Sequence, residues 1–225
     1  FAGMIKTLDE SVGRVLAKLK ERGLDKNTIV IFASDNGGFI GIDKKSGQTV
    51  PATNNAPLRS GKGSCYEGGI RVPLIVHWPG VTTQGAVVRE PVSVMDLLPT
   101  LLGASGIELP DGVAFDGLNL TPLLRDPSGK LDRDALYFHY PHYYSTTTPV
   151  SAVRSRDWKL LEYYADNRVE LFHLKEDLGE TMDLAKQHPE RTAHLRKQLR
   201  RWRDEVGAQE PGPNPGFKPR KSGNR

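Results

Sequence analysis

The run Ile29-Val-Ile-Phe-Ala33 is too continuously apolar and β-branched for a strand with one wet face, and it breaks off abruptly into Ser34-Asp-Asn-Gly-Gly38. That pattern predicts a buried strand over Thr28–Ala33 with a carboxylate and a carboxamide at its exit. In open α/β sheets, ligands bind just beyond the carboxyl ends of the strands. Asp35 and Asn36 offer hard oxygens suited to Ca²⁺ or Mg²⁺, while Gly37 and Gly38 let the backbone turn away. Downstream, Leu58-Arg-Ser-Gly-Lys-Gly-Ser-Cys-Tyr-Glu-Gly-Gly-Ile-Arg-Val-Pro73 holds Lys62 between two glycines, where an ammonium can approach an oxyanion closely. Taken singly, each motif is a common turn or loop. Taken together, a half-site for a hard cation and a positioned lysine point to chemistry on a charged ester.

The remaining elements follow from periodicity. Met4, Ile5, Leu8, Val12, Val15, Leu16 and Leu19 form one helical stripe ending at Gly23. Residues 37–63 read as a long polar loop, a length that in compact domains accompanies function or mobility. Pro73 to Trp78 reads as a strand, and Ser93 with Asp96 marks a helix start with Leu97, Leu98, Leu101 and Leu102 as its apolar side. A short helix is expected at Thr121–Arg125. Four strands follow, over 135–140, 152–156, 159–164 and 169–174, with a hairpin turn at Ala165-Asp-Asn-Arg168. Pro189 opens a last helix reaching about Val206. The fold class expected is α/β: part of a mixed-sheet domain, then a small antiparallel sheet packed with a C-terminal helix.

Composition narrows the function classes. A chain of 225 residues with 37% hydrophobic and 26% charged residues can bury a core and is not a disordered polyelectrolyte. No apolar run approaches the ~18–20 residues needed to span a bilayer. One cysteine excludes an internal disulfide. The net charge of +4 does not argue for nucleic acid, because residues 207–225, rich in Pro and Gly and expected to be a disordered basic tail, carry three of those charges. In Arg196-Lys-Gln-Leu-Arg-Arg-Trp-Arg203 the basic residues lie opposite Leu195, Leu199, Trp202 and Val206, as on a solvated helix face.

Four segments in order carry a family resemblance: residues 1–38 with Ser-Asp-Asn-Gly, residues 57–80 with Gly-Lys-Gly and Tyr-Glu-Gly-Gly-Ile-Arg-Val-Pro, Val92-Ser-Val-Met-Asp-Leu-Leu-Pro-Thr-Leu-Leu102, and Glu170-Leu-Phe-His-Leu-Lys-Glu-Asp-Leu-Gly-Glu-Thr-Met-Asp-Leu-Ala185. Together they resemble the sulfatases of the alkaline-phosphatase superfamily. The resemblance implies the C-terminal half of a catalytic α/β domain over 1–130 and a C-terminal sheet-and-helix subdomain over 131–206. The family's formylglycine motif, Cys/Ser-x-Pro/Ala-x-Arg, and its N-terminal Asp pair do not occur here. Cys65 is followed by Tyr66-Glu67-Gly68 and is expected to pack as a small apolar group. The expectation is therefore the C-terminal part of a longer enzyme, inactive alone and partnered by the missing N-terminal half of the same protein.

By that resemblance, Asp35 and Asn36 are two ligands of a Ca²⁺ ion (Mg²⁺ being the alternative), and Lys62 is the catalytic, sulfate-binding lysine. The formylglycine is expected only in the missing part. In Tyr137-Phe-His-Tyr-Pro-His-Tyr-Tyr144, the residues His139, His142 and Tyr143 are candidate substrate contacts, since aromatics and imidazoles stack on sugar rings; a structural role for strand aromatics fits equally. An ion pair between Arg71 and Glu67 is expected to hold the lysine loop. The function implied is a sulfuric ester hydrolase acting on a sulfated small molecule or carbohydrate. A phosphonate or phosphate ester hydrolase of the same superfamily and a non-catalytic binding relative are the alternatives. Neither a nucleic-acid partner nor a membrane span is expected, and export to a periplasm or beyond fits family habit alone.

Overall fold

The first apolar stripe does form a helix. The computed structural model describes residues 1–42, 49–51, 53–108, 112–212 and 214–216, and in it α1 runs Ala2–Glu21. Lys18 and Lys20 sit in its last turn, where cations oppose the helix dipole, and Gly23 leaves it at φ +66°. None of its residues is buried. β1 (Val30–Ala33) pairs antiparallel with β4 (Leu74–His77), Val30 opposite His77 and Ala33 opposite Leu74. Among the described residues no third strand joins them. The buried strand expected over Thr28–Ala33 is therefore only half covered, with Phe32 37% and Ile75 63% exposed. A continuous apolar run reports that both faces are suited to burial, and two strands alone cannot cover both.

The segment read as a loop contains a small antiparallel pair, β2 (Ile40–Ile42) with β3 (Thr49–Pro51). Three-residue strands are too short to print an alternating pattern. The rest of that reading, at 43–48 and 52, lies outside the described residues. Next comes α2 (Glu67–Ile70). Ser93 and Asp96 form the expected reciprocal cap, Asp96 Oδ2 accepting from the Ser93 N–H at 2.7 Å, ahead of a tight turn and α3 (Leu97–Ala104). The expected apolar side of α3 differs: Leu98 and Leu101 are exposed, whereas Pro99 and Thr100 are buried. Thr100 Oγ1 donates to the Asp96 carbonyl at 2.6 Å and accepts from the Leu120 N–H at 2.8 Å, so polar bonding decides which side turns inward. Asp96 is fully buried and pairs with Arg133. Then α4 covers Thr121–Arg125.

The C-terminal sheet is an antiparallel meander in sequence order: β5 (Leu136–Tyr140), β6 (Val150–Ser155), β7 (Trp158–Tyr163) and β8 (Val169–His173). Asn167 takes φ +55° in the β7–β8 turn, and the Arg168 N–H donates to Asp166 Oδ1 at 3.1 Å. α5 (Pro189–Val206) packs on β6 and β7 and ends at Gly207, φ +61°. Alternation along the strands divides the interior. Val153, Leu160 and Leu171 meet Leu195 and Leu199 of α5. Ala152, Leu161, Tyr163 and Phe172 face the other way and meet Cys65, Tyr66 and Leu174. The sheet is thus covered on both sides, by α5 and by the lysine loop with α2.

The chain after α5, expected to be free, is tied down at its start: the Gln209 carbonyl lies 2.8 Å from His139 Nε2, and Glu210 is 3.5 Å from Arg203 Nε. Residue 213 and residues 217–225 lie outside the described residues. No described helix is long and apolar enough to cross a membrane.

Two measurements probe this packing. Leu199→Ala, at a site with no exposure, should cost about 2–5 kcal/mol in urea unfolding. Burial pushes the Cys65 thiol up to about 11. The native protein should therefore resist a disulfide-exchange reagent at pH 8 and react once unfolded. Because the folded thiol holds its proton longer than the unfolded one, stability should fall as pH rises from about 9 to about 11, and fall less in Cys65→Ala.

Candidate active site

Two glycine-bearing segments meet backbone to backbone. Leaving β1, Ser34 Oγ donates to the Asn36 carbonyl at 2.9 Å, which tightens the turn. The Gly37 N–H donates to the Gly69 carbonyl at 3.0 Å, and a Cβ on Gly37 would overlap the Gly68 carbonyl. Only glycine permits that approach. The Lys62 N–H donates to the Gly38 carbonyl at 3.0 Å. The metal-type turn and the lysine loop are therefore joined at both ends of the contact.

Asn55 clasps the same junction. Its Oδ1 accepts from the Gly38 N–H at 3.1 Å, and its Nδ2 donates to the carbonyls of Gly38 and Ser60, both at 3.0 Å. Ser60 stands at φ +63°, which for a residue with a Cβ costs on the order of 1 kcal/mol. Held this way, the backbone turns sharply just before Lys62. From the other side, Thr146 Oγ1 donates to the Lys62 carbonyl at 2.8 Å, and the Tyr144 ring lies against Gly63, leaving no room for a side chain there. Lys62 is thus fixed at its own N–H and C=O while its side chain is exposed.

Lys62, Asn36, Gly63, Tyr140 and Tyr144 line one open hollow of about 480 Å³. Asn36 spends its amide nitrogen on the Gly37 carbonyl at 3.0 Å, so its oxygen is the end available to a cation. Asp35 is exposed and lines a larger neighbouring hollow of about 1350 Å³, together with Arg71 and Arg154. Asp35 and Asn36 are oxygen donors of the right hardness for Ca²⁺ or Mg²⁺, but two donors fall short of the six to eight that Ca²⁺ takes. No group of three or more His, Cys, Asp or Glu side chains suited to a metal occurs among the described residues.

The aromatic segment divides by strand parity. Phe138 and Tyr140 point toward Cys65 and Tyr66, whereas Tyr137 stacks on Trp202 of α5 at 4.8 Å. His139 shares the parity of Tyr137. It borders the smaller hollow, yet Nδ1 lies 2.8 Å from Ser151 Oγ and Nε2 2.8 Å from the Gln209 carbonyl, so both nitrogens are engaged within the fold. His142 packs edge-on against Tyr140 at 5.4 Å, and Tyr143 is 74% exposed. His142 and Tyr143 are both exposed, whereas His139 is half-buried at the edge of the hollow.

Behind the lysine loop lies a buried cluster of charge. Glu67, Lys159 and Glu180 are all fully buried; Lys159 Nζ is 3.0 Å from Glu67 Oε1 and 2.8 Å from Glu180 Oε1. Burial holds the Glu180 carboxyl above the ordinary range, opposed by the Lys159 ammonium. The Arg71–Glu67 pair expected from sequence is present at 3.6 Å, and Arg154 joins it at 3.4 Å. Tyr66 donates to Glu170 Oε2 at 2.5 Å; burial and that carboxylate raise its phenol well beyond the usual value.

The sulfatase family profile matches residues 1–107, and the profile described as N-sulphoglucosamine sulphohydrolase, C-terminal, matches residues 61–205. The chain belongs to the sulfatase family. A sulfatase of Formosa agariphila is 37% identical, over 90% of this chain and 39% of its own length. Human arylsulfatase A is 39% identical, over 71% of this chain and 29% of its own. The crystal structure of Ps i-CgsB in complex with k-i-k-neocarrahexaose superposes with a TM-score of 0.77 at 31% identity, covering 90% of this chain and 42% of that one. That of BT4656 in complex with D-glucosamine-2-N, 6-O-disulfate gives 0.70 at 26% identity, covering 92% and 40%. This sulfatase chain therefore spans well under half the length of these relatives, and its alkaline-phosphatase-like fold agrees with theirs.

Asn55, Tyr144 and Thr146 carry no sequence signal of their own, because each acts through a backbone group far along the chain. Asn55→Ala should destabilise the protein by about 1–3 kcal/mol and speed exchange of the Gly38 amide. Unfolding and amide-exchange measurements check both.

Proposed function

We propose that this sulfatase chain supplies the sulfate-binding lysine and two metal ligands of a sulfate ester hydrolase acting on a sulfated carbohydrate. The observation that carries the reading is the fixing of Lys62 at both backbone groups beside Asn36, in one hollow. A group that must meet charge developing on sulfuryl oxygens works best when it needs no reorganisation at that moment. Lys62 is built that way: the loop is fixed and only the ammonium is left to act.

Asp35 and Asn36 would hold a Ca²⁺ ion, or Mg²⁺, whose other ligands come from chain outside these 225 residues, as would the formylglycine nucleophile. The ion would orient the nucleophile and neutralise a sulfuryl oxygen. An amide ligand in place of a second carboxylate keeps the oxygen donor while limiting negative charge, which favours entry of an anionic ester. His139 borders the hollow, and the exposed His142 and Tyr143, between Tyr140 and Tyr144 of its lining, would present a ring nitrogen and a plane suited to a sugar. The sugar ligand of BT4656, a disulfated glucosamine, supports the carbohydrate class.

The test is kinetic and is made on the full-length gene product. Lys62→Ala should lower kcat for a sulfate ester by about 10²–10³ while leaving unfolding unchanged, since the side chain is exposed. Asp35→Ala should weaken Ca²⁺ binding in calorimetry. Full turnover in the lysine variant, or faster turnover of a phosphate ester than of any sulfate ester, would overturn the reading.

A further inference from the structure

α2 is four residues long, too short to hold itself, yet both of its glycines form the contact with Gly37. Something outside the helix must fix it. Its first N–H, that of Glu67, donates to Glu180 Oε2 at 2.7 Å. The Glu67 side chain is anchored on Lys159 of β7, which also meets Glu180 Oε1. The Glu180 main-chain carbonyl accepts from Arg59 at 2.8 Å, and the Arg59 carbonyl accepts from the Gly68 N–H, also at 2.8 Å. One buried carboxylate and its own backbone thus hold both flanks of the lysine loop. Glu180 itself takes φ +53° to do so.

A fully buried ammonium between two fully buried carboxylates is a poor means of gaining stability, because desolvation cancels most of the attraction and an apolar cluster of similar volume serves as well or better. What such a cluster does provide is directional registry. Here three separate segments meet at a single Nζ: the loop that carries Lys62, the sheet, and the turn after β8.

We infer that Lys159 and Glu180 are positioning residues for the sulfate-ester site, the Glu67–Lys159–Glu180 cluster setting where Lys62 stands relative to Asn36. This inference rests on the proposed function above. Neither residue touches the hollow; both act through α2, whose carbonyl at Gly69 holds Gly37, one residue from Asn36.

The experiment uses the full-length gene product with Glu180→Gln and Lys159→Met. Glu180→Gln preserves shape and removes the charge; it decides the matter if Lys159→Met fails to fold. Amide exchange is followed at Gly37, Lys62 and, as a reference inside the sheet, Leu160. The expected result is exchange about tenfold faster at Gly37 and Lys62 with Leu160 unchanged. With it should come a kcat about 10- to 100-fold lower at a KM within about threefold of wild type. Unchanged exchange and kcat in a folded Glu180→Gln variant would overturn the inference. So would exchange rising equally at Leu160, which marks a general loss of stability. If the wild-type protein turns over no sulfate ester, the proposed function falls, and the exchange pattern alone still decides whether this cluster positions the loop.

Discussion

Gly37 and Gly69 share one hydrogen bond, and nearly everything else in the site exists to make that contact possible. The turn can come so close only because Gly37 carries no Cβ, while Gly68 and Gly69 lack one because it would strike the loop's own carbonyls at Arg59, Ser60, Gly61 and Ser64. The approach also obliges each partner to be held from behind. The turn is held by Asn55, which takes both the N–H and the carbonyl of Gly38. The loop is held by α2 and the buried charges beneath it. Chemistry at the surface thus depends on bonding one layer down.

The C-terminal sheet explains how that layer is built. Its two faces have different duties: one packs on α5 with aliphatic residues, and the other carries Lys159 and Arg154 among Leu161, Tyr163 and Phe172 to receive the lysine loop. Strand parity makes the division strict, since adjacent residues point to opposite sides. The same rule turns His139 toward Ser151 and Tyr164 while Phe138 and Tyr140 face the loop.

What could be read in advance, and what could not, follows from the range of the interactions. Helices α1 and α5, the four C-terminal strands, the Ser93–Asp96 cap and the Arg71–Glu67 pair all rest on residues near one another in sequence, and all were legible. Lys62 and Asn36 were legible as a motif, and they do share one hollow. Asn55 bonding to Gly38, Thr146 to Lys62 and Glu180 to Glu67 are long-range pairings of ordinary polar residues, with no local periodicity to announce them. The direction of His139 is a property of strand register, which composition does not carry. The apolar runs in α1, β1 and α3 told what those residues are suited to contact; they did not tell what covers them.

β1 and β4 each have one edge that no described strand occupies. The turn bearing Asp35 and Asn36 is also tied across the Gly37 contact, through α2, to the meander of β5–β8. In mechanical terms α2 is a linkage between them: a displacement of β7 at Lys159 reaches the cation-type turn through Glu67 and the Gly69–Gly37 bond, a route far shorter than the chain itself.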